Sequence, residues 1–302
     1  VLLRFHPALG GTVEWFQIVT GIGLVTMLMG AVIALFKHDL KGLLAYSTIS
    51  HLGLITALAG IGTPLALIAA VFHIVNHAVF KASLFMAAGI IDHETGTRDM
   101  RRLSGLARVM PITATLAIIA SGAMAGVPLL NGFLSKEMFF EATYVWNNGS
   151  PLDNAALYIA VLAAAFSTAY SLRFIVKVFF GPLATDLPRH PHEPPLLMRL
   201  PVAVLVAICV SIGLFPQLVL GNLLETASRA LIGPDVPHFS LKIWHGVNAP
   251  LIMSLIAMGL GIMIYCLPQR AINSGEDGTR LMRKLDIARF YERAMRVLTQ
   301  QI

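Results

Sequence analysis

Long runs of apolar residues constrain this chain more than any other feature of its sequence. Only 13% of its 302 residues are charged and 56% are hydrophobic, whereas a soluble domain carries about 25% charged residues. A membrane-spanning helix needs roughly 20 apolar residues to cross a hydrocarbon layer of about 30 Å. The runs predict seven such spans, at residues 17–36, 43–62, 64–91, 111–146, 155–180, 200–220 and 247–267. The predicted fold is therefore all-α, a polytopic transmembrane helical bundle.

Basic residues lie mostly on one side of the predicted membrane. The connections after odd-numbered spans hold nine Lys and Arg residues and the C-terminal tail holds seven, together 16 of the 22. The opposite side holds only Arg4, Arg229 and Lys242. Such an excess marks the cytoplasmic side. We therefore expect a multi-pass protein of the cell inner (plasma) membrane, with residue 1 outside and the tail in the cytoplasm. The net charge of +6 belongs to these loops and does not indicate nucleic-acid binding.

The chain divides near residue 268 into a transmembrane domain, residues 1–268, and a tail, residues 269–302. In residues 279–302 basic and apolar side chains alternate at helical spacing, which predicts an amphipathic helix on the membrane or along neighbouring helices. Residues 1–12 resemble the end of a helix and the loop after it, and the chain begins at Val1 without Met. We therefore expect further helices upstream.

The third predicted span carries titratable side chains at membrane depth. His73, His77 and Lys81 follow one another at four-residue intervals, with Asn76 alongside. Four residues advance a helix by about 400°, so these side chains form one slowly drifting stripe. Histidine changes charge near neutral pH, and an ionisable group inside a membrane costs at least ~2.5 kcal/mol on insertion scales. The stripe predicts a path that passes protons between side chains and water.

The fourth predicted span is too long for one straight helix, and its composition predicts a break. Pro128 and Gly132 lie inside its apolar stretch; proline removes a backbone donor and glycine loosens a helix. A broken helix at membrane depth survives where protein or water satisfies the freed backbone, and such breaks mark transport sites. Lys136 and Glu137 follow the break. We interpret Lys136 as functional and not as an anchor at the membrane surface.

The other polar residues of the spans give weaker signals. Asp39 and Lys41 lie at the end of the first span, where charged residues commonly act as anchors. His51 belongs to a polar stretch of the second span that either extends a water path or bonds to backbone. One interpretation of Arg173, in the fifth span, is that its head group reaches out to the membrane surface.

The sequence gives little support to an enzyme or a cofactor protein. It carries no Gly-rich phosphate loop, no Ser-His-Asp set and no metal-spaced cluster. Cys209 and Cys266 both lie inside apolar segments, which favours neither a disulfide framework nor a metal site. We therefore expect no cofactor, no metal centre and no enzyme activity.

Three sequence blocks resemble one known superfamily, in its order and spacing. They are HDLKGLLAYSTIS at residues 38–50, FHIVNHAVFK at 72–81 and GFLSKE at 132–137. The resemblance is to the antiporter-like subunits of respiratory complex I and of Mrp-type cation/proton antiporters. DHETGTRDMRRL, at residues 92–103, is most similar to the A subunit of the Mrp antiporters.

This resemblance implies two inverted repeats of five helices, each with a broken helix, around a central polar axis. Lys136 matches the lysine of the second broken helix, with Glu137 beside it. His73, His77 and Lys81 match the central relay. Further residues match its surroundings, with Asp39 and Lys41 near the cytoplasmic entrance and His51 as an auxiliary group. The first repeat has no counterpart here, so we expect the second half-channel only.

Three functions remain open from the sequence. The first is a proton-translocating subunit of a multisubunit Na⁺ or K⁺/H⁺ antiporter, with other membrane subunits and the lipid bilayer as its partners. The second is a proton-pumping subunit of NADH:quinone oxidoreductase, driven by a redox reaction. The third is a structural subunit that holds partners through its tail. The sequence does not determine which cation is carried, or through which subunit.

Overall fold

The computed structural model describes residues 1–146, 151–234, 236, 239, 241–244, 246–266 and 296. Across these residues the chain is helical, with a single isolated bridge between Asp39 and Asp99 and no strand, so the predicted all-α fold is confirmed. The predicted amphipathic helix of residues 279–302 and the domain boundary near residue 268 lie outside the described residues.

Eleven α-helices make up the described chain. They are α1 (Leu2–Leu9), α2 (Val13–Trp15), α3 (Gly21–Phe36), α4 (Leu40–Ile61), α5 (Pro64–Thr95), α6 (Pro111–Ala125), α7 (Asn131–Val145), α8 (Pro151–Phe179), α9 (Leu196–Leu214), α10 (Pro216–Ile232) and α11 (Ala249–Cys266). A π-helical turn, Phe16–Thr20, joins α2 to α3 without interruption. In this described part, six helical segments are long and apolar enough to cross a membrane, and α6 is a shorter apolar helix. With α7, α6 occupies the predicted fourth span.

Local sequence explains where the long helices begin and end. The Asp39 carboxylate accepts a hydrogen bond from the Gly42 amide at 2.6 Å and caps α4. Thr63 caps α5 in the same way, with Pro64 as the first residue of the helix. Side-chain acceptors at this position satisfy amides that have no partner inside the helix. These caps fix where α4 and α5 begin, and polar residues of the two helices meet in the interior.

The chain breaks between α6 and α7, as predicted. Gly126 ends α6 with a φ of 89°, a left-handed conformation that costs glycine little. After four more residues Asn131 begins α7. Gly132 lies against α6 so closely that a Cβ there would overlap the carbonyl oxygen of Ala123. The break leaves the last carbonyls of α6 available to side chains.

The predicted sixth span, residues 200–220, is wrong in its extent. α9 ends at Leu214 and a second helix, α10, starts at Pro216 and continues to Ile232. Proline has no amide hydrogen to donate, so it is favoured in the first turn of a helix, and Pro216 occupies that place in α10. The apolar run therefore holds the end of one helix and the start of the next.

Candidate functional site

Two histidines from different helices form the centre of a buried polar cluster. The Nδ1 atom of His51, on α4, lies 2.9 Å from the Nε2 atom of His73, on α5. Their rings stack with centroids 5.2 Å apart and an interplanar angle of 20°. Both residues are buried. A contact of this length between two ring nitrogens is a hydrogen bond in which one ring donates and the other accepts.

The histidine pair is extended at both ends by hydroxyl groups. The Nδ1 atom of His73 lies 3.0 Å from the Ser135 hydroxyl on α7. The Nε2 atom of His51 lies 3.4 Å from the Tyr170 hydroxyl on α8. The result is a four-residue hydrogen-bonded chain that we call the histidine chain, Tyr170–His51–His73–Ser135. It crosses from α8 through α4 and α5 to α7.

His77 lies beside the histidine chain without a hydrogen bond to it. Its ring centroid is 5.2 Å from that of His51 and 6.2 Å from that of His73. Phe80 packs edge-on against its ring at 5.6 Å. The buried Nε2 atom of His77 has no hydrogen-bond partner among the described residues. The stripe predicted on α5 is therefore present, but the close partner of His73 comes from α4.

Lys81 lies one turn after His77 and points to neutral acceptors. It is 4% exposed, and its ammonium group donates a short hydrogen bond to the Ser47 hydroxyl. A longer one reaches the Leu44 carbonyl at 3.4 Å, and the Met124 sulfur atom lies 3.2 Å away. α4 and α6 thus enclose the head group of this lysine.

Lys136 binds the carbonyls that the helix break leaves available. Its Nζ atom donates to the Met124 carbonyl at 2.8 Å and to the Ala125 carbonyl at 2.9 Å. It also contacts the Ser167 hydroxyl on α8 at 3.1 Å. A negative dipole end at a helix C-terminus favours a cation. Met124 therefore contacts both buried lysines, Lys81 through its sulfur atom and Lys136 through its carbonyl.

No carboxylate in the described part of the chain lies within ion-pair distance of Lys81 or Lys136. Glu137, next to Lys136, is buried on another side of α7. It lines a cavity with Glu141, Lys242 and Asn248. Lys136 lines a different, narrow cavity together with His51, Ser167 and Tyr170. That cavity has room for about one water molecule.

Asp39 and Lys41 lie at the ends of the helices, apart from the histidine chain. The Asp39 carboxylate is 3.1 Å from the Arg98 guanidinium, and the Lys41 ammonium is 3.0 Å from the Asp92 carboxylate. Each of the two side chains is about 40% exposed. Asp39 lines an open polar cavity with His38 and Asp99.

The interpretation of Arg173 as a side chain that reaches the membrane surface is wrong. Arg173 is 2% exposed and turns toward the end of α3. Its Nη1 atom donates short hydrogen bonds to the Leu35 and Lys37 carbonyls, and its Nη2 atom lies 2.8 Å from His38 Nδ1. A planar guanidinium with several donors suits a helix end with free carbonyls, so Arg173 holds α8 against α3.

Sequence reasoning missed Met124 as a contact of both lysines and assigned no role to Tyr170. Met124 acts through a thioether sulfur, which is only a weak acceptor, and through a backbone carbonyl, which every residue has. Tyr170 and Ser167 did give a signal, since they are polar residues in an apolar span. Within the described residues no group of three or more His, Cys, Asp or Glu residues could hold a metal ion.

This chain is similar in sequence to proteins of one known family. Residues 1–167 match the family model described as NADH:quinone oxidoreductase/Mrp antiporter, TM. A relative from Rhizobium meliloti, described as the A/B subunit of a probable K⁺/H⁺ antiporter, is 55% identical over 99% of this chain. The A subunit of the Na⁺/H⁺ antiporter of Alkalihalophilus pseudofirmus is 39% identical over 88% of it. The chain spans about a third of these relatives, 30% of the first and 36% of the second.

A solved structure of the Mrp complex from Dietzia sp. contains a chain with the same fold. It superimposes with a TM-score of 0.82 and 35% sequence identity, covering 100% of this chain and 32% of that one. The likeness extends over all the helices that carry the buried lysines and histidines.

Proposed function

Because this chain belongs to the NADH:quinone oxidoreductase/Mrp antiporter transmembrane family, we propose that it forms a proton-conducting part of a multisubunit monovalent cation/proton antiporter. The proposed cation is Na⁺ or K⁺, the ions in the names of the two relatives. The proposed location is the inner (plasma) membrane, with residue 1 outside and the tail in the cytoplasm. The proposed partners are the other membrane subunits of the complex.

One observation carries this proposal, which is that Lys81 and Lys136 are buried against neutral oxygen atoms. Serine hydroxyls and backbone carbonyls can accept hydrogen bonds from an ammonium group but do not neutralise its charge. A lysine held by a carboxylate is stabilised in its charged form, whereas these lysines keep both protonation states accessible. Groups of this kind inside a membrane are suited to accept and release protons.

The histidine chain lies on the proposed route between the lysines. A proton that reaches one ring nitrogen can leave from the other nitrogen of the same ring, so each imidazole can pass a proton on. The narrow cavity brings His51 and Tyr170 next to Lys136 with room for about one water molecule. His77, between the pair and Lys81 along α5, is the proposed group on the other side.

The two lysines are also close enough to influence each other. Both contact Met124, so the charge on one raises the energy of a charge on the other, and the effect is strong where water is scarce. The membrane potential acts on the same charges with about 2.3 kcal/mol per charge per 100 mV. A cation movement elsewhere in the complex could therefore be coupled to proton movement here through electrostatics alone.

We assign the remaining predicted site residues to the two ends of the proposed proton route. Glu137 faces the cavity that contains Glu141 and Lys242, on the side that the distribution of basic residues predicts to be the exterior. Asp39 and Lys41 lie near the open polar cavity at the other side. We propose that Glu137 exchanges protons with the outside and that Asp39 and Lys41 shape the cytoplasmic entrance.

The test uses everted vesicles from antiporter-deficient cells that carry the complete complex. A pH gradient is imposed, Na⁺ or K⁺ is added, and a pH-sensitive dye follows the collapse of the gradient. We expect Lys136→Ala to abolish exchange while the complex assembles, because the variant removes the titratable group bound to the last carbonyls of α6. Lys177→Ala, on the end of α8, is the matched control and should exchange like the wild type. Exchange at the wild-type rate in Lys136→Ala would refute the proposal.

The same vesicles separate the two other functions. A proton-pumping subunit of NADH:quinone oxidoreductase, the other branch of the family, would acidify the vesicles on addition of NADH and would not respond to added cation. A purely structural subunit would tolerate the loss of Lys136 and Lys81 and would fail when residues 279–302 are deleted. The match to two antiporter subunits over most of this chain favours the exchange function.

A further inference from the structure

Tyr170 differs from the other hydroxyl residues around it on α8. Thr168 and Ser171 donate to carbonyls of their own helix, at 3.2 Å and 2.7 Å. Such bonds satisfy a buried hydroxyl locally and make no connection to other helices. Tyr170 is 0% exposed, and its hydroxyl instead meets the Nε2 atom of His51 on α4. A buried tyrosine needs a hydrogen-bond partner. Here one partner is the Ser167 side chain on the same helix, and the other is a titratable ring inside the membrane.

Which group donates and which accepts in each hydrogen bond of the histidine chain can be assigned by starting from Ser135. The Ser135 hydroxyl donates to the Gly132 carbonyl at 3.2 Å, and a hydroxyl has only one hydrogen to donate. Ser135 must therefore accept from the Nδ1–H group of His73. The Nε2 atom of His73 is then an acceptor, because a neutral imidazole carries a single N–H group. It accepts from the Nδ1–H group of His51.

The same reasoning assigns the donor and the acceptor in the contact between His51 and Tyr170. With its hydrogen on Nδ1, His51 presents Nε2 as an acceptor, and the hydroxyl of Tyr170 donates to it. This is the one assignment in which all four contacts, from Tyr170 to the Gly132 carbonyl, are hydrogen bonds.

We propose that Tyr170 is a positioning residue: by donating to the Nε2 atom of His51, its hydroxyl selects the tautomers of His51 and His73. This inference rests on the proposed proton-conducting function and adds a residue to it. The hydroxyl of Tyr170 is suited to this task because it borders the narrow cavity that also contains Lys136 and Ser167.

Tyr170→Phe tests the inference because it removes the hydroxyl and keeps the ring. In the vesicle assay we expect exchange to be roughly tenfold slower, well short of the ~100-fold or greater loss that follows removal of a proton-transfer group itself. The pH dependence of exchange should also shift, because His51 loses the donor that holds its tautomer. The titratable groups around His51 are otherwise unchanged: His73, His77 and Lys81 on α5, and Lys136 on α7.

Tyr158→Phe is the matched control, since Tyr158 lies on the same helix and is 74% exposed. It should leave both rate and pH profile unchanged. A wild-type rate in Tyr170→Phe, or a slower rate with an unchanged pH profile, would overturn the inference. If Tyr170→Phe does not assemble, a fluorotyrosine introduced at position 170 keeps the shape and makes the hydroxyl more acidic. The pH profile should then shift, and an unshifted profile would overturn the inference.

Lys136→Ala, measured in parallel, distinguishes failure of the role proposed for Tyr170 from failure of the proposed proton-conducting function. Loss of exchange in Lys136→Ala with a wild-type response in Tyr170→Phe refutes the role of Tyr170 alone. Full exchange in Lys136→Ala refutes the proton-conducting function, and the role of Tyr170 with it.

Discussion

The buried lysines and the charged residues at the helix ends are stabilised in opposite ways. At the helix ends, charges meet opposite charges: Lys41 pairs with Asp92, and Asp39 with Arg98. In the interior, Lys81 and Lys136 meet hydroxyls, carbonyls and a thioether. Burial makes the charged state expensive, and a counter-ion would reduce that cost. The helix-end charges are thus stabilised by their partners, whereas the buried lysines lack counter-ions among the described residues, as the proposed proton movement requires.

Arg173 shows that a buried charge can also be structural. It is as buried as the two lysines, but it stays protonated at every physiological pH and binds the end of α3. The comparison therefore depends on two properties of a buried cation, whether it can release a proton and whether its partners are neutral groups that tolerate that release.

The largest expected effect comes from removing the buried structural charge. Arg173→Ala leaves the Leu35 and Lys37 carbonyls and His38 without their donor, and each unsatisfied buried acceptor costs about 1–3 kcal/mol. We expect a loss of about 3 kcal/mol or more in the free energy of unfolding, measured on the purified complex, and a lower yield of assembled complex. Arg173→Lys should recover part of it. Arg101→Ala, at the surface, should cost less than about 1 kcal/mol. Equal losses for Arg173→Ala and Arg101→Ala would contradict the comparison.

A second experiment gives a buried lysine the counter-ion that it lacks. Ser167→Asp introduces a carboxylate where the hydroxyl lies 3.1 Å from Lys136, and the ion pair should hold the ammonium in its charged form. We expect exchange to slow by at least about tenfold, with the complex assembled. Ser167→Asn has nearly the same shape without charge, so it should exchange faster than Ser167→Asp. If the two variants exchange equally, the missing counter-ion is not what makes Lys136 functional.

The smallest effect is expected at a charge that is paired at the surface. The Arg101 guanidinium, hydrogen-bonded to Asp99, holds the pKa of the Asp99 carboxyl below its ordinary value of 3.8. The pair therefore stabilises the folded chain above about pH 4, and this stabilisation is lost as the pH falls through the lowered pKa of the folded state. Asp99→Asn should lower stability by about 0.2–1 kcal/mol at neutral pH, with no effect on exchange.

Thermal unfolding of the complex at several pH values checks the prediction for Asp99. The difference between wild type and Asp99→Asn should shrink as the pH is lowered below about 4. Asp186→Asn is the control, because the Asp186 carboxylate is fully exposed and lies 3.6 Å from the Arg102 guanidinium, so this looser pair should contribute less to stability than the pair of Asp99. A difference that grows on acidification would show that Asp99 does not act through its charge.

Most of the helical spans could be predicted from hydropathy, and the errors have local causes. The break between α6 and α7 was predictable because Pro128 and Gly132 interrupt an apolar run. The start of α10 was missed although Pro216 marks it, because apolar residues continue on both sides of the proline. Hydropathy reports which residues avoid water, and it does not report where a continuous apolar run changes direction.

Part of the candidate site could be predicted as well. Spacing along α5 puts His73, His77 and Lys81 on one face, and the structure has them there. Spacing could not show that His73 pairs with His51, because that contact depends on the relative position of α4 and α5 along their axes. It also could not show the partners of Lys136, since two of them are backbone carbonyls, which every residue has.

The sequence by itself therefore determined the membrane class, the helix break and the identity of the titratable groups. These follow from the cost of placing polar groups in lipid and from the steric limits of proline and glycine, which act over a few neighbouring residues. Only the tertiary structure decided that Lys81 and Lys136 have neutral partners, that Arg173 is structural, and that Tyr170 begins the histidine chain. Those properties depend on distances between α4, α5, α6, α7 and α8, and packing of whole helices sets such distances.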